Sequence, residues 1–111
     1  MNLRDLEISQ NDIEHVTMDD FSETAKLQKL LLKSNKIATI DDESLSRLSK
    51  LTFLDLSQNR LRHLTDNVFD GLDSLRYLFL DNNKIDSIER YTFHGLKKLV
   101  SLERIFDIYD I

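Results

Sequence analysis

The residues able to carry chemistry are few, and their spacing argues against a reactive site. The 111-residue sequence holds three histidines and no cysteine. Without thiols, disulfides, thiolate nucleophiles and Cys-based zinc sites drop out in one step. His15 and His63 stand two steps of 24 residues apart. If each step advances the chain by one strand spacing, about 10 Å separates them. That is too far for a shared zinc ion, whose ligands sit near ~2 Å. His94 belongs to a different part of the pattern. Asp19, Asp20, Asp41, Asp42 and Glu43 cluster without the alternating spacing of a calcium loop, and turn capping and solubility account for them. Asp66 lies near His63 with no nucleophile facing the pair, so base, nucleophile and orienting group do not converge. Glycine occurs only at positions 71 and 95, which leaves no phosphate-cradling loop. The chain reads as a non-enzyme that needs neither cofactor nor metal.

What remains is recognition, and recognition needs a scaffold. Hydrophobic residues make up 41% and charged residues 32%, a balance that predicts a packed core under a solvated surface. The length suits one domain. A formal net charge of −5 argues against a nucleic-acid partner, since neutralising phosphates takes clustered Lys and Arg. No apolar run approaches the ~18 residues of a membrane helix. The segment from Met1 to Asp5 carries no apolar export signal. Proline is absent as well, so the chain must turn by a repeated device other than Gly and Pro.

Self-similarity supplies the device. Leu3, Leu27, Leu51, Leu75 and Leu99 are spaced by 24 residues, as are Leu6, Leu30, Leu54, Leu78 and Leu102. The same step links Ile8, Leu32, Leu56 and Leu80, then Asn11, Asn35, Asn59 and Asn83. Ile13, Ile37, Leu61 and Ile85 follow, and after them Val16, Ile40, Leu64 and Ile88. Within each unit, Leu-x-x-Leu-x-Leu alternates at its centre, the mark of a short strand with one buried face. The Asn comes where the chain leaves the strand, and its amide can satisfy backbone groups that the turn strands inside the coil. Phe21, Phe69 and Phe93, with Leu45 in the second unit, mark the return leg. Thr17, Asp41 and Thr65 precede that column by four residues, where N-caps of a helical turn would sit. One unit cannot bury its own apolar side, so about three or more must stack.

The run Leu51-x-x-Leu54-x-Leu56-x-x-Asn59-x-Leu61-x-x-Leu64-x-x-x-x-Phe69-x-Gly71-Leu72 resembles the 24-residue class of leucine-rich repeats, and the run from Leu75 to Leu96 repeats it with Gly95. The resemblance implies an α/β repeat fold: a right-handed solenoid with a concave parallel β-sheet and an irregular or short-helical convex side. Residues 1–111 then form a single domain with repeats starting near 3, 27, 51 and 75 and a degenerate terminal cap over 99–111. This class is similar to the ectodomain repeats of Toll-like receptors, Slit-type guidance proteins, small proteoglycans and arthropod immune proteins. It implies an extracellular or cell-surface module that binds protein, as part of a receptor, adhesion or innate-immunity protein. Cys-stabilised caps and Asn-x-Ser/Thr glycosylation sites, common in such proteins, do not occur here. The expectation is an excised piece of a longer protein, or a small member capped without disulfides.

The last unit degenerates. Leu99 and Leu102 keep step, but Arg104 stands where an inward Leu belongs. The tail fits either a capping helix, with Leu102, Ile105, Phe106 and Tyr109 on one face, or a final strand of shifted register. A cap is the favoured expectation, because an uncapped solenoid exposes its core.

The strand positions that the Leu framework leaves free point away from the core in three ladders: Asp5, Lys29, Phe53, Tyr77, Ser101; Glu7, Leu31, Asp55, Phe79, Glu103; and Ser9, Lys33, Ser57, Asp81. Leu31, Phe53, Tyr77 and Phe79 make an apolar patch that the core does not claim, and aromatic anchors dominate protein interfaces. Lys29, Lys33, Asp55, Asp81 and Arg76 form its charged rim. Packing between neighbouring strands is the alternative role for these aromatics. Lys36, Arg60, Lys84 and Arg62 make a basic rib along one edge, interrupted by Asp12, and a solvated edge is its simpler reading. A spacer, or a scaffold that self-associates through open strand edges or solenoid ends, is the competing account of the whole chain.

Overall fold

The computed structural model describes residues 3–103, with side chains described over 3–100. Nine short strands follow in chain order: β1 (Asp5–Glu7), β2 (His15–Val16), β3 (Lys29–Leu31), β4 (Thr39–Ile40), β5 (Phe53–Asp55), β6 (His63–Leu64), β7 (Tyr77–Phe79), β8 (Ser87–Ile88) and β9 (Ser101–Glu103). The odd-numbered strands form one parallel sheet in the order β1-β3-β5-β7-β9, and the even-numbered ones pair as β2-β4 and β6-β8. Every pairing advances the register by one repeat: Leu6 faces Leu30, which faces Leu54, then Leu78, then Leu102. The repeat pattern therefore folds as a solenoid whose strands stack coil on coil.

The Leu columns fill its interior. Leu30, Leu54, Leu78, Leu27, Leu51 and Leu75 have no exposed surface, and Phe69 stacks on Phe93 at 6.0 Å on the return side. Leu3, Leu6, Ile8 and Ile13 of the first coil are only partly buried against this core. They have a neighbouring coil on one side among the described residues.

The convex side is built of turns, and no helix forms among the described residues. Successive amides reach back three residues, as in Ser44 to Asp41, Ser46 to Glu43 and Leu48 to Leu45, all at 3.1 Å. So few residues are available before the next strand that a helix nucleus could not be repaid by propagation. The capping expected of Thr17, Asp41 and Thr65 takes another form. Asp20 accepts the Thr17 amide at 2.8 Å, and the Thr65 hydroxyl donates to Asp42 of the coil before. The cap expected over 99–111 falls largely outside the described residues.

The Asn column ties each coil to its predecessor. Asn59 donates to the carbonyls of Leu56 and Leu32, each at 3.0 Å, while its Oδ1 accepts the Ile37 amide at 3.0 Å. Asn35 does the same toward Leu32 and Ile8 and accepts the amides of Asn11 and Ile13. Asn83 repeats it toward Leu80 and Leu56, accepting from Leu61. The residue before each Asn turns the chain out of the strand in a left-handed conformation: Gln10, Ser34, Gln58 and Asn82 have φ of 60°, 61°, 57° and 58°. L-residues reach that region at a cost of ~1 kcal/mol, which the side-chain bonds of the following Asn offset. This is the turning device that a chain without proline required.

Candidate ligand-binding face

The outward side of the five-stranded sheet gathers the residues singled out from the sequence. Phe53 faces Tyr77 across the β5-β7 pairing, and Asp55 faces Phe79. The Phe53 ring lies 6.0 Å from that of Tyr77 and, diagonally, 5.1 Å from that of Phe79, tilted by 45° and 41°. Lys29, one strand over, sets its ammonium 4.9 Å above the Phe53 ring centre, a cation–π contact the sequence reading did not foresee. Leu31, Phe53 and Phe79 are half-buried and Tyr77 is 39% exposed, so the patch is partly packed on itself and partly open. The rings pack on one another across neighbouring strands, and Tyr77 keeps an exposed edge.

The charged residues around the patch are not equivalent. Asp55 is half-buried between Leu31 and Phe79 in its ladder. Its Oδ1 accepts both the amide and the hydroxyl of Ser57, at 2.9 and 2.6 Å. Ser57 is thereby drawn in to 3% exposure, so the third ladder does not face outward there as the sequence suggested. The reason is local: a carboxylate two residues back satisfies the serine and folds it against the sheet. Glu7 in the first coil makes the same turn, accepting the Ser9 amide at 2.7 Å. The Ser9 hydroxyl and then its amide hold the Glu7 carboxyl below its ordinary value of 4.5, with Lys29 adding to the effect. Lys33 is exposed, Asp81 half-buried with Asn82 beside it at 3.3 Å, and Arg76 exposed.

A polar hollow adjoins the patch, lined by Glu7, Ser9, Gln10, Lys33, Ser34 and Gln58. Sequence reasoning missed it. The signal was present as the polar column at 10, 34 and 58, whose left-handed turns stack one above another, with the Ser34 hydroxyl donating to Gln58 at 2.6 Å.

The other candidates fare differently. The basic rib is partly neutralised, for Lys36 pairs with Asp12 at 3.2 Å and Arg62 with Asp86 at 3.0 Å. The Arg62 guanidinium holds the Asp86 carboxyl below its ordinary value of 3.8. His15 and His63 do not meet; each bonds to its neighbour in the next coil, His15 to Thr39 and His63 to Ser87. His63 also faces Glu89 at 3.4 Å, which aligns Ser87, His63 and Glu89 in a hydroxyl–imidazole–carboxylate row not anticipated from the sequence. The row lies on an exposed ridge. The nearby amides of Asp86, Ser87 and Glu89 are spent on the carbonyls of Arg62 and Leu64, so these three do not serve as oxyanion donors. Asp66, instead of orienting His63, accepts the Tyr91 amide at 2.6 Å and donates its own to Glu89 at 2.7 Å. Among the described residues no group of three or more His, Cys, Asp or Glu is placed to hold a metal.

A family model for the leucine rich repeat matches residues 1–61 and 54–103. The chain belongs to the leucine-rich repeat family. Among solved structures, this leucine-rich repeat chain is similar to a chain of the crystal structure of a TLR13–ssRNA13 complex, with a TM-score of 0.84 and 31% identity over 89% of its length. It spans 14% of that Toll-like receptor chain. No curated protein matches it.

Proposed function

We propose that this leucine-rich repeat chain is a recognition module whose concave face binds a protein partner, within an extracellular or cell-surface protein of the receptor, adhesion or innate-immunity kind. The carrying observation is the cluster of Phe53, Tyr77 and Phe79 on the outward side of the sheet. Three large aromatic groups are held there by a scaffold whose core is complete without them. Aromatic anchors ringed by charge are the usual centre of a protein interface.

The TLR13–ssRNA13 complex gives a second reading, in which the same rings stack on unpaired bases and Lys29 and Lys33 meet phosphates. A net charge of −5 does not exclude it, because it is the local charge that meets a phosphate. The local charges favour protein: Asp55 and Asp81 are half-buried at the edge of the aromatic cluster, where a phosphate backbone would be repelled.

Tyr77→Ser with Phe79→Ser is expected to abolish partner capture from extracellular fluid or cell-surface extract while circular dichroism of the chain stays unchanged. Equal capture by both proteins would refute the concave-face reading. Oligomerisation that rises with concentration, with no partner retained, would favour the self-associating scaffold instead.

A further inference from the structure

Resting on that reading, we infer that the anchor of the protein partner is an arginine side chain, seated on Asp55 and against the rings of Phe79 and Tyr77. Among the residues whose side chains are described, Asp55 is the carboxylate that stands directly between two apolar neighbours at the edge of the aromatic cluster. Leu31 and Phe79 are its neighbours in the ladder, and Phe53 precedes it by two residues on the same face of β5. Among the described residues it has no ion pair, although it is half-buried. A half-desolvated carboxylate gains most from a cation that arrives already poorly hydrated. The two bonds from Ser57 use Oδ1 and fix the orientation of the carboxylate, which leaves Oδ2 without a hydrogen bond among the described residues.

Guanidinium fits this surroundings better than ammonium. It is planar, stacks on aromatic faces, and still presents N–H groups in its plane to a carboxylate. The face already displays half of this chemistry, for Lys29 rests its ammonium on the coil-two side of Phe53. Tyr77, 39% exposed, and Phe79, half-buried, stand on the coil-four side for an incoming cation. Asp81, two residues past the end of β7, adds a second negative charge in coil four. Lys33 and Lys29 crowd the opposite side, so the site is directional: the arginine enters from coil four, and acidic groups of the partner lie toward coil two.

Panning a phage-displayed random nonapeptide library against the whole chain tests this, with Asp55→Asn panned in parallel. Asn keeps an oxygen for the Ser57 bonds, so the variant removes charge without removing the turn. Peptides enriched on the parent chain and lost on Asp55→Asn are expected to share an arginine. Replacing that arginine by glutamine in a synthetic peptide should weaken binding about tenfold, equivalent to ~1.4 kcal/mol, on the parent chain and hardly at all on Asp55→Asn. Enriched peptides that lack arginine but are lost on Tyr77→Ser with Phe79→Ser would overturn the arginine anchor and leave the concave-face reading standing. A library with nothing enriched, or with binding indifferent to both variants, would overturn both. A ten-nucleotide oligouridylate bound through Tyr77 and Phe79, and bound more tightly by Asp55→Asn, would replace the arginine with a nucleic acid.

Discussion

Asn11 and Asn59 are the same residue in the same repeat position, yet they face different consequences if lost. Asn59 is 6% exposed and serves the Leu32 and Leu56 carbonyls together with the Ile37 amide. Asn11 is exposed and bonds the Ile8 and Ser9 carbonyls of its own coil. Removing one partner of a buried hydrogen bond leaves the other unsatisfied at about 1–3 kcal/mol per group. Asn59→Ala is therefore expected to cost ~3 kcal/mol or more in urea unfolding, and Asn11→Ala under ~1 kcal/mol because water replaces its bonds. Equal losses would mean that the ladder acts within coils and not between them. The Asn column itself was legible in the sequence from its spacing. Its asymmetry was not, since nothing in the local sequence of Asn11 records that its side-chain bonds stay within its own coil at the surface.

Gly71 and Gly95 occupy equivalent places on the return legs of the third and fourth coils, and the repeat pattern treats them alike. The packed elements do not. Gly71 has φ of 86°, and a Cβ there would lie 2.3 Å from the Ser46 carbonyl oxygen of the coil before, against backbone that cannot swing aside. A Cβ on Gly95 would meet nothing within 4 Å. Gly71→Ala is expected to destabilise the chain by ~2 kcal/mol or more through strain and overpacking together, whereas Gly95→Ala should be neutral or slightly stabilising. Thermal unfolding of the two variants beside the parent chain distinguishes the cases, and a matched response would remove the close approach as the cause. At the same scale the convex elements came out as turns, although Thr17, Asp41 and Thr65 had the residue types of helix caps. Type and position identified where the chain bends. The number of residues left before the next strand decided that no helix would grow.

As a whole the molecule is a one-dimensional stack in which each coil is stabilised by its neighbours, so stability should be graded along it. Leu30, Leu54 and Leu78 are fully buried between coils, while Leu3, Leu6, Ile8 and Ile13 are only partly so. Amide hydrogen exchange is expected to be slowest in β3 and β5 and faster in β1, which opens first without taking the centre with it. Uniform exchange from β1 to β7 would show a single cooperative unit instead. The sequence by itself determined the period, the Leu and Asn columns and the register in which the ladder positions stack. Those follow from alternation along a strand and translation by 24 residues, which are one-dimensional properties. Only the tertiary structure decided how the ladder residues use one another. It put Lys29 on Phe53, folded Ser57 inward onto Asp55, and joined Ser87, His63 and Glu89 on one ridge. Each of these contacts depends on side-chain direction and on competition among neighbours from adjacent coils. A repeat pattern places residues in columns, but it is the distances between columns that settle which side chains meet.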